Sequence, residues 1–422
     1  VKAFKCGPDF IDPLFHEKNL GLSSVNLDSY FEDKKNLLNL FLEESADSKI
    51  SVIEGAMGYF DGIGGTLLKA SSYDIARITK TPVILIIDAK GMSRSVCALI
   101  KGYLNYVKPN FIKGVILNKI SKPLFLILKN MIENECDVKV LGFLPYEKKL
   151  EWQSRHLGLF LPAEIKNFEE QINLASSLLK DSFDEKEFLK IINAAPKLKS
   201  YTNNEKKIEV YRKKYSSLKI AIAKDDAFCF YYKKNISMIK ECFVQVRYFS
   251  PLSDKEIPDC DGIIFGGGYP ELFADRLEKN VSLISSVQKL VKDKIPVLAE
   301  CGGFMYLQKS LLDKQKNRFN MCGILEGESF FCEKLVRFGY AEYMDRESKL
   351  TIKGHEFHYF DSTSNGKDFL SKKASGKCGE NCIVKKDNII AGFPHLYYNS
   401  RPEFLYSFLD KCLEYRAYKN GK

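Results

Sequence analysis

The sequence predicts an α/β protein of two domains, each a parallel sheet covered by helices on both faces. Three observations carry that reading. Residues 1–195 alternate short apolar runs with helix-like segments, residues 196–217 are polar, charged and poor in large aliphatics, and a second alternation restarts at Leu218 and continues to residue 422. Alternation of this kind is the pattern of parallel sheets buried on both faces, and the polar stretch has the composition of a linker.

In the first half, residues 51–54, 82–88 and 111–118 are apolar runs closing on Glu54, Asp88 and Asn118. Ligands of open parallel sheets bind at the carboxyl ends of strands, where these three polar residues fall. Ser95 to Tyr106 reads as one of the helices between them. The chain opens directly on an apolar strand, Val1-Lys-Ala-Phe-Lys-Cys, and so looks like one whose true N-terminus is absent. In the second half, strands are expected at 218–223, at 262–265 ahead of Gly266-Gly-Gly268, at 296–299 ahead of Cys301, and at 388–392 ahead of His395. No short-period repeat and no low-complexity tract interrupts either half.

Composition excludes several classes. A hydrophobic content of 45% and a charged content of 28% are ordinary for a soluble globular chain. No apolar run of about 18 residues suggests a membrane span, and no signal-peptide core stands at the start, so a cytoplasmic setting is expected. The net charge of +10 comes from scattered lysines without an aromatic-lined basic stripe, which argues against nucleic acid as a partner. The 12 cysteines show no disulfide spacing, and Cys378-x-x-x-Cys382 has no second pair with which to form a zinc site.

The most informative segment is Pro296-Val-Leu-Ala-Glu-Cys-Gly-Gly-Phe-Met-Tyr-Leu307. A buried strand must turn sharply into a helix with Cys301 at the apex, and the glycines that follow leave room beside the sulfur. A cysteine at a helix N-terminus is expected to favour its thiolate. The alternative is a buried cysteine acting as a small hydrophobe. Two neighbours favour the nucleophile: the glycine loop 266–268, whose backbone N–H groups suit an oxyanion, and His395 as a base. Gly268 and Gly302 are the expected oxyanion donors. Nucleophilic cysteine, glycine loop and later histidine resemble the class I glutamine amidotransferases, which implies thiolate attack on the glutamine carboxamide and release of ammonia. Many members of that class carry His-x-Glu, whereas position 397 here is tyrosine, so the partner that orients His395 stays open.

Acidic motifs dominate the first half. Lys5-Cys-Gly-Pro-Asp-Phe-Ile-Asp-Pro13 brings Asp9 and Asp12 together, Glu54-Gly-Ala-Met-Gly-Tyr-Phe-Asp-Gly62 carries Glu54 and Asp61, and Asn26-Leu-Asp-Ser-Tyr30 ends in an acid expected to be exposed. Such loops suit Mg²⁺, although any one of them alone reads more readily as a turn. Taken in chain order with Arg155-His-Leu-Gly158, Glu300-Cys-Gly-Gly303, Gly354-His-Glu-Phe-His358 and His395, the set resembles the cobyrinate a,c-diamide synthase family over essentially the full length. The resemblance implies a P-loop, dethiobiotin-synthetase-like domain at 1–195, a linker at 196–217 and a class I glutamine amidotransferase domain at 218–422. It further implies that ATP activates the a and c acetates of cobyrinate as acyl phosphates, which ammonia from glutamine then amidates. Lys5, Asp12 and Glu54 are then expected to serve nucleotide and phosphate, with Asp12 and Glu54 on Mg²⁺. Asp9, Phe10, Ile11 and Asp61 would face the corrinoid.

The family's Gly-x-x-x-x-Gly-Lys-Thr phosphate loop matches no segment, so the first strand and phosphate loop look truncated, and poor ATP binding is expected of the chain as given. Gly354-His-Glu-Phe-His358 is not His-Glu-x-x-His, so a zinc site is not expected there. The rival readings are a,c-diamidation of a related tetrapyrrole, nickel-sirohydrochlorin or hydrogenobyrinate, and a non-catalytic tetrapyrrole-binding remnant. A homodimer is an open expectation.

Overall fold

The computed structural model describes residues 1–151, 154–155, 158–159, 164–165, 167–199, 210–211, 213–376 and 378–421. His156 of the expected Arg155–Gly158 turn and half of the expected linker lie outside the described residues.

Short β-branched and aliphatic runs form the strands of the first half: β1 (Lys2–Cys6), β2 (Ser24–Leu27), β3 (Ser51–Glu54), β4 (Val83–Asp88), β5 (Ile112–Asn118) and β6 (Lys139–Leu144), followed by the short pair β7 (Ser154–Arg155) and β8 (Gly158–Leu159). They assemble as two separate three-stranded parallel sheets, β2-β1-β3 and β4-β5-β6. Helix α1 (Ile11–Leu20) follows β1 at once, and Gly21 ends it in a left-handed conformation (φ 63°) that only glycine adopts cheaply. β3 and β4 are the outer strands on which the two sheets stop, and Val52 and Ile86 there are 51% and 66% exposed.

The second half begins with β9 (Lys219–Ala223), β10 (Gln245–Phe249), β11 (Gly262–Phe265) and β12 (Val297–Glu300). An excursion follows through β13 (Ser310–Leu312), β14 (Arg318–Asn320), β15 (Glu328–Phe331), β16 (Arg337–Asp345), β17 (Thr351–His358), β18 (Phe360–Ser362), β19 (Phe369–Lys373) and β20 (Cys378–Cys382). The chain then returns through β21 (Val384–Lys386), β22 (Ile389–Gly392) and β23 (His395–Leu396). The central sheet has the order β10-β9-β11-β12-β22-β21, parallel except for the β21–β22 pair. Its inner strands β9, β11, β12 and β22 are apolar on both faces because both are covered. Ile263, Phe265, Val297 and Ala299 enter one core, while Ile220, Ile222, Ile264 and Leu298 enter the other.

Two registers bring the site together. β12 pairs with β22 so that Glu300 lies opposite Gly392, which puts the Cys301 turn beside the segment leading to His395. In the antiparallel sheet β20-β19-β16-β17-β23, His355 lies opposite His395. Gly354-His-Glu-Phe-His358 is therefore strand, with His355 and Glu356 on opposite faces.

Candidate active site

Cys301 has φ 47° and ψ −106°, left-handed backbone on a residue with a side chain, between β12 and the helix Gly302–Leu307. Such strain persists only where the surroundings hold it. Here the Cys301 N–H donates to the Gly392 carbonyl (2.8 Å) and the Gly303 N–H donates to the Gly266 carbonyl (3.0 Å), so the elbow is tied to both flanking strand ends. Because the Cys301 N–H is spent on Gly392, the oxyanion donors must come from elsewhere. The Gly302 N–H is directed at the sulfur, and a Cβ on Gly302 would come within 3.2 Å of the Gly268 nitrogen, so the two expected donors are neighbours. Gly268 has φ 151°, and a Cβ there would strike the Ala227 carbonyl.

The sulfur departs from the sequence expectation in one respect. Burial pushes the Cys301 thiol well above its ordinary value, and the Gly302 N–H offsets this only in part. A helix of 6 residues has too small a dipole to reverse full burial. Burial thus keeps Cys301 as a neutral thiol.

Burial likewise holds His395 well below the ordinary imidazole value, with His355 and His358 adding to the effect. The base is thus neutral and able to take the thiol proton. Its orientation comes from packing. His355 stacks on it at 5.1 Å between ring centroids and 20°, Phe10 lies against it at 5.0 Å and 52°, and a Cβ on Gly267 would meet its Cε1 at 2.3 Å. Among the described residues its Nδ1 has no hydrogen-bond partner. Tyr397, which stands where the His-x-Glu pattern would place a glutamate, points away, bonding Glu32 and stacking on Phe31 at 4.8 Å and 9°. Sequence reasoning assigned no role to His355, whose Nδ1 shares a 2.7 Å hydrogen bond with the Tyr232 hydroxyl, nor to Gly267. Only the structure shows the β17–β23 pairing that brings His355 to the base. Glu300 is buried without a cation, so burial pushes its carboxyl up to about 8, and the Tyr398 hydroxyl donates to it at 3.0 Å.

The acidic loops of the first half converge on one ammonium. Lys5 Nζ lies 2.5 Å from Asp12, 3.4 Å from Glu54 and 3.9 Å from Asp9, and donates to the Gly55 carbonyl at 2.8 Å. Burial works against its charge, but Asp12, Glu54 and Asp9 outweigh it and leave Lys5 above its ordinary value. Burial and the Asp12 carboxylate raise Asp9 to about 6, and Asp9 accepts from the Ile11 and Asp12 N–H groups at 2.7 and 3.1 Å, which fixes the start of α1. His16 bridges Glu54 (2.7 Å) and Ser24 (2.9 Å). Asp61 is exposed and closes a turn with Gly58, accepting its N–H at 3.1 Å. Phe10, expected to face the substrate, is buried instead among Phe230, Tyr232, His355 and His395 of the other half.

Asp28, expected to be exposed, is buried at the contact between the halves, where burial raises it to about 6 and the Tyr340 hydroxyl donates to it at 2.7 Å. Lys353 donates to the Tyr30 carbonyl (2.7 Å) and Asn399 to Glu32 (2.5 Å), so the segment 28–32 docks the first half on the second. No group of three or more potential ligands is arranged for a metal on its own among the described residues. Asp12 and Glu54, gathered on one ammonium, are the donor set Mg²⁺ takes when phosphate oxygens complete its shell.

Residues 219–403 match the CobB/CobQ-like glutamine amidotransferase domain, and residues 25–154 match an AAA domain. Curated relatives match along nearly the whole chain. Cobyrinate a,c-diamide synthase of Caldanaerobacter subterraneus subsp. tengcongensis is 37% identical over 98% of this chain and 92% of its own length. The enzymes of the same name from Fusobacterium nucleatum subsp. nucleatum and Listeria innocua serovar 6a are also 37% identical, each over 96% of this chain and over 93% and 91% of their own lengths.

Proposed function

The chain belongs to the cobyrinate a,c-diamide synthase family, and from that premise we propose which residues carry its two half-reactions. It is a glutamine-dependent, ATP-dependent amide-forming ligase of cobalamin synthesis, with cobyrinate, ATP and glutamine as substrates. The observation that carries the residue assignment is the strained Cys301 elbow lying beside Gly268 and Gly302, with a neutral His395 on the segment that follows the neighbouring strand β22.

In the glutaminase half, His395 takes the proton from Cys301 as the sulfur attacks the carboxamide carbon of glutamine. The Gly268 and Gly302 N–H groups meet the oxyanion, a role worth about 3 kcal/mol per donor. Collapse of the tetrahedral intermediate returns the proton from His395 to the departing nitrogen, giving ammonia and a glutamyl thioester. Water then cleaves the thioester to glutamate and regenerates the thiol.

In the synthetase half, an acetate oxygen of cobyrinate attacks the γ-phosphorus of ATP and ADP leaves. Ammonia adds to the acyl phosphate carbon, phosphate leaves, and a proton is lost from nitrogen. Lys5 holds a phosphate by charge, and Asp12 and Glu54 would hold Mg²⁺, which when bound neutralises phosphate oxygens. His16 keeps the Glu54 carboxylate turned toward Lys5. Asp9, Ile11 and Asp61 form the side offered to the corrinoid. The sequence is repeated for the second acetate.

The experiment is a product assay with cobyrinate, ATP, a magnesium salt and glutamine. A cobyrinate product carrying two new amides, with one glutamate and one ADP formed per amide, is the expected outcome. Glutamate released with no amide on the tetrapyrrole would exclude cobyrinate as the substrate.

A further inference from the structure

We propose that Phe338 and Phe357 of the second half form a platform on which one face of the tetrapyrrole rests, so that both halves hold cobyrinate. The proposal rests on the cobyrinate reading above and adds to it residues that recognise the macrocycle.

β16 and β17 pair so that Glu342 lies opposite Lys353, Tyr340 opposite His355, and Phe338 opposite Phe357. Alternate residues of a strand share a face, so these three cross-strand pairs form one row on one side of the sheet. The first half takes up the first two pairs. Lys353 donates to the Tyr30 carbonyl at 2.7 Å, the Tyr340 hydroxyl donates to Asp28 at 2.7 Å, and the Phe10 ring lies 5.6 Å from that of His355. The third pair continues the same face one step further, about 7 Å along the strands. It is left open. Phe338 is 57% and Phe357 36% exposed, and their rings meet edge to face at 5.1 Å and 72°. Among the described residues, no ring of the first half stacks on either.

Two adjoining aromatic rings left in water at the end of an otherwise filled contact face have the character of a binding surface. The neighbouring residues select its occupant. Phe10 reaches this face between Asp9 and Ile11, the residues proposed above to meet the corrinoid, and Asp9 lies 3.9 Å from Lys5 Nζ. A ligand seated on the aromatic pair is therefore brought to the loop that serves acyl phosphate formation. Cobyrinate meets both demands. Its macrocycle offers a broad apolar face to the two rings, and its acetates project from the rim of that macrocycle toward the loop.

The test is direct binding of cobyrinate to the whole chain, followed by corrinoid absorption, which needs neither ATP nor glutamine. Phe338→Ala and Phe357→Ala should each raise the Kd about tenfold, the loss expected for a buried aromatic contact. Phe338→Tyr and Phe357→Tyr keep the ring and should stay within about twofold of wild type. Thermal melts of all four variants should stay close to that of the wild type, because neither ring is buried. Phe338→Trp adds a tryptophan to a chain that has 1, and the added emission should be quenched as cobyrinate binds. A wild-type Kd in both alanine variants, or an added tryptophan that cobyrinate leaves unquenched, would overturn the proposal while leaving the cobyrinate reading intact. Loss of a dimer in the alanine variants, seen by sedimentation with cobyrinate binding unchanged, would also overturn it and assign the face to a second copy of the chain. Failure of the wild type itself to bind cobyrinate would overturn the substrate reading, and the platform with it.

Discussion

Gly267 leaves no space for a side chain beside the base. A methyl group there would sit 2.3 Å from His395 Cε1, well inside contact distance, and the ring would have to turn. Gly267→Ala is therefore expected to lower glutamine turnover about 100-fold, the size of effect that follows a misplacement of about 1 Å in a catalytic group, while ammonia-dependent amidation continues. Steady-state rates with each nitrogen source check this, and equal loss of both would point to misfolding. Cys301 shows the same economy of means at its own position. Its strain is held by its own N–H bond to Gly392 and by the Gly303 N–H bond to Gly266, and burial keeps its thiol neutral. The sharp turn at Cys301 and the glycine loop before it were legible because each has a local signature. His355 was not, because a strand register brings it to His395 across 40 residues of sequence.

At the level of elements, β3 and β4 contrast with β12. All four residues of β12 are buried between paired neighbours, whereas β3 and β4 are outer strands carrying exposed Val52 and Ile86. Unpaired strand edges leave backbone N–H groups to solvent and open at low free-energy cost. Hydrogen exchange is expected to be fast in β3 and β4 and slow in β9, β11 and β12, and protection of β4 equal to that of β12 would contradict the edge assignment. The strand positions themselves were readable, since 51–54, 82–88 and 111–118 are short, largely apolar runs that close on a polar residue. The sheet order was not, because alternation reports that strands are parallel and buried without saying which ones pair. Asp28 failed for a related reason. A single acid after Leu27 reads as a surface turn, and only the docking of Tyr340 from the other half buries it.

At the scale of the molecule, the contact between the halves gathers buried titratable groups whose shifts oppose one another. Burial raises Glu300 to about 8, Glu356 to about 7, and Asp28 and Asp9 to about 6. These groups bind protons in the folded state first, so stability rises as pH falls through 8 toward the unfolded carboxyl range near 4. Burial lowers His355 to about 3 and His358 to about 4, so the unfolded chain binds those protons first, and stability is lost as pH falls from 6.5 through the folded values. Thermal melts are therefore expected to show Tm increasing from pH 8 to pH 6.5 and decreasing below about pH 4.5. A Tm that climbs steadily to pH 8 would contradict the burial of these carboxyls. The same contact brings together the two half-reactions proposed above. Cys301→Ser tests that proposal most directly, by amidation of cobyrinate with glutamine and, separately, with ammonium as nitrogen source. Loss of the glutamine-dependent reaction with the ammonium-dependent one retained is the predicted result, whereas loss of both, or survival of the glutamine-dependent reaction, would contradict it.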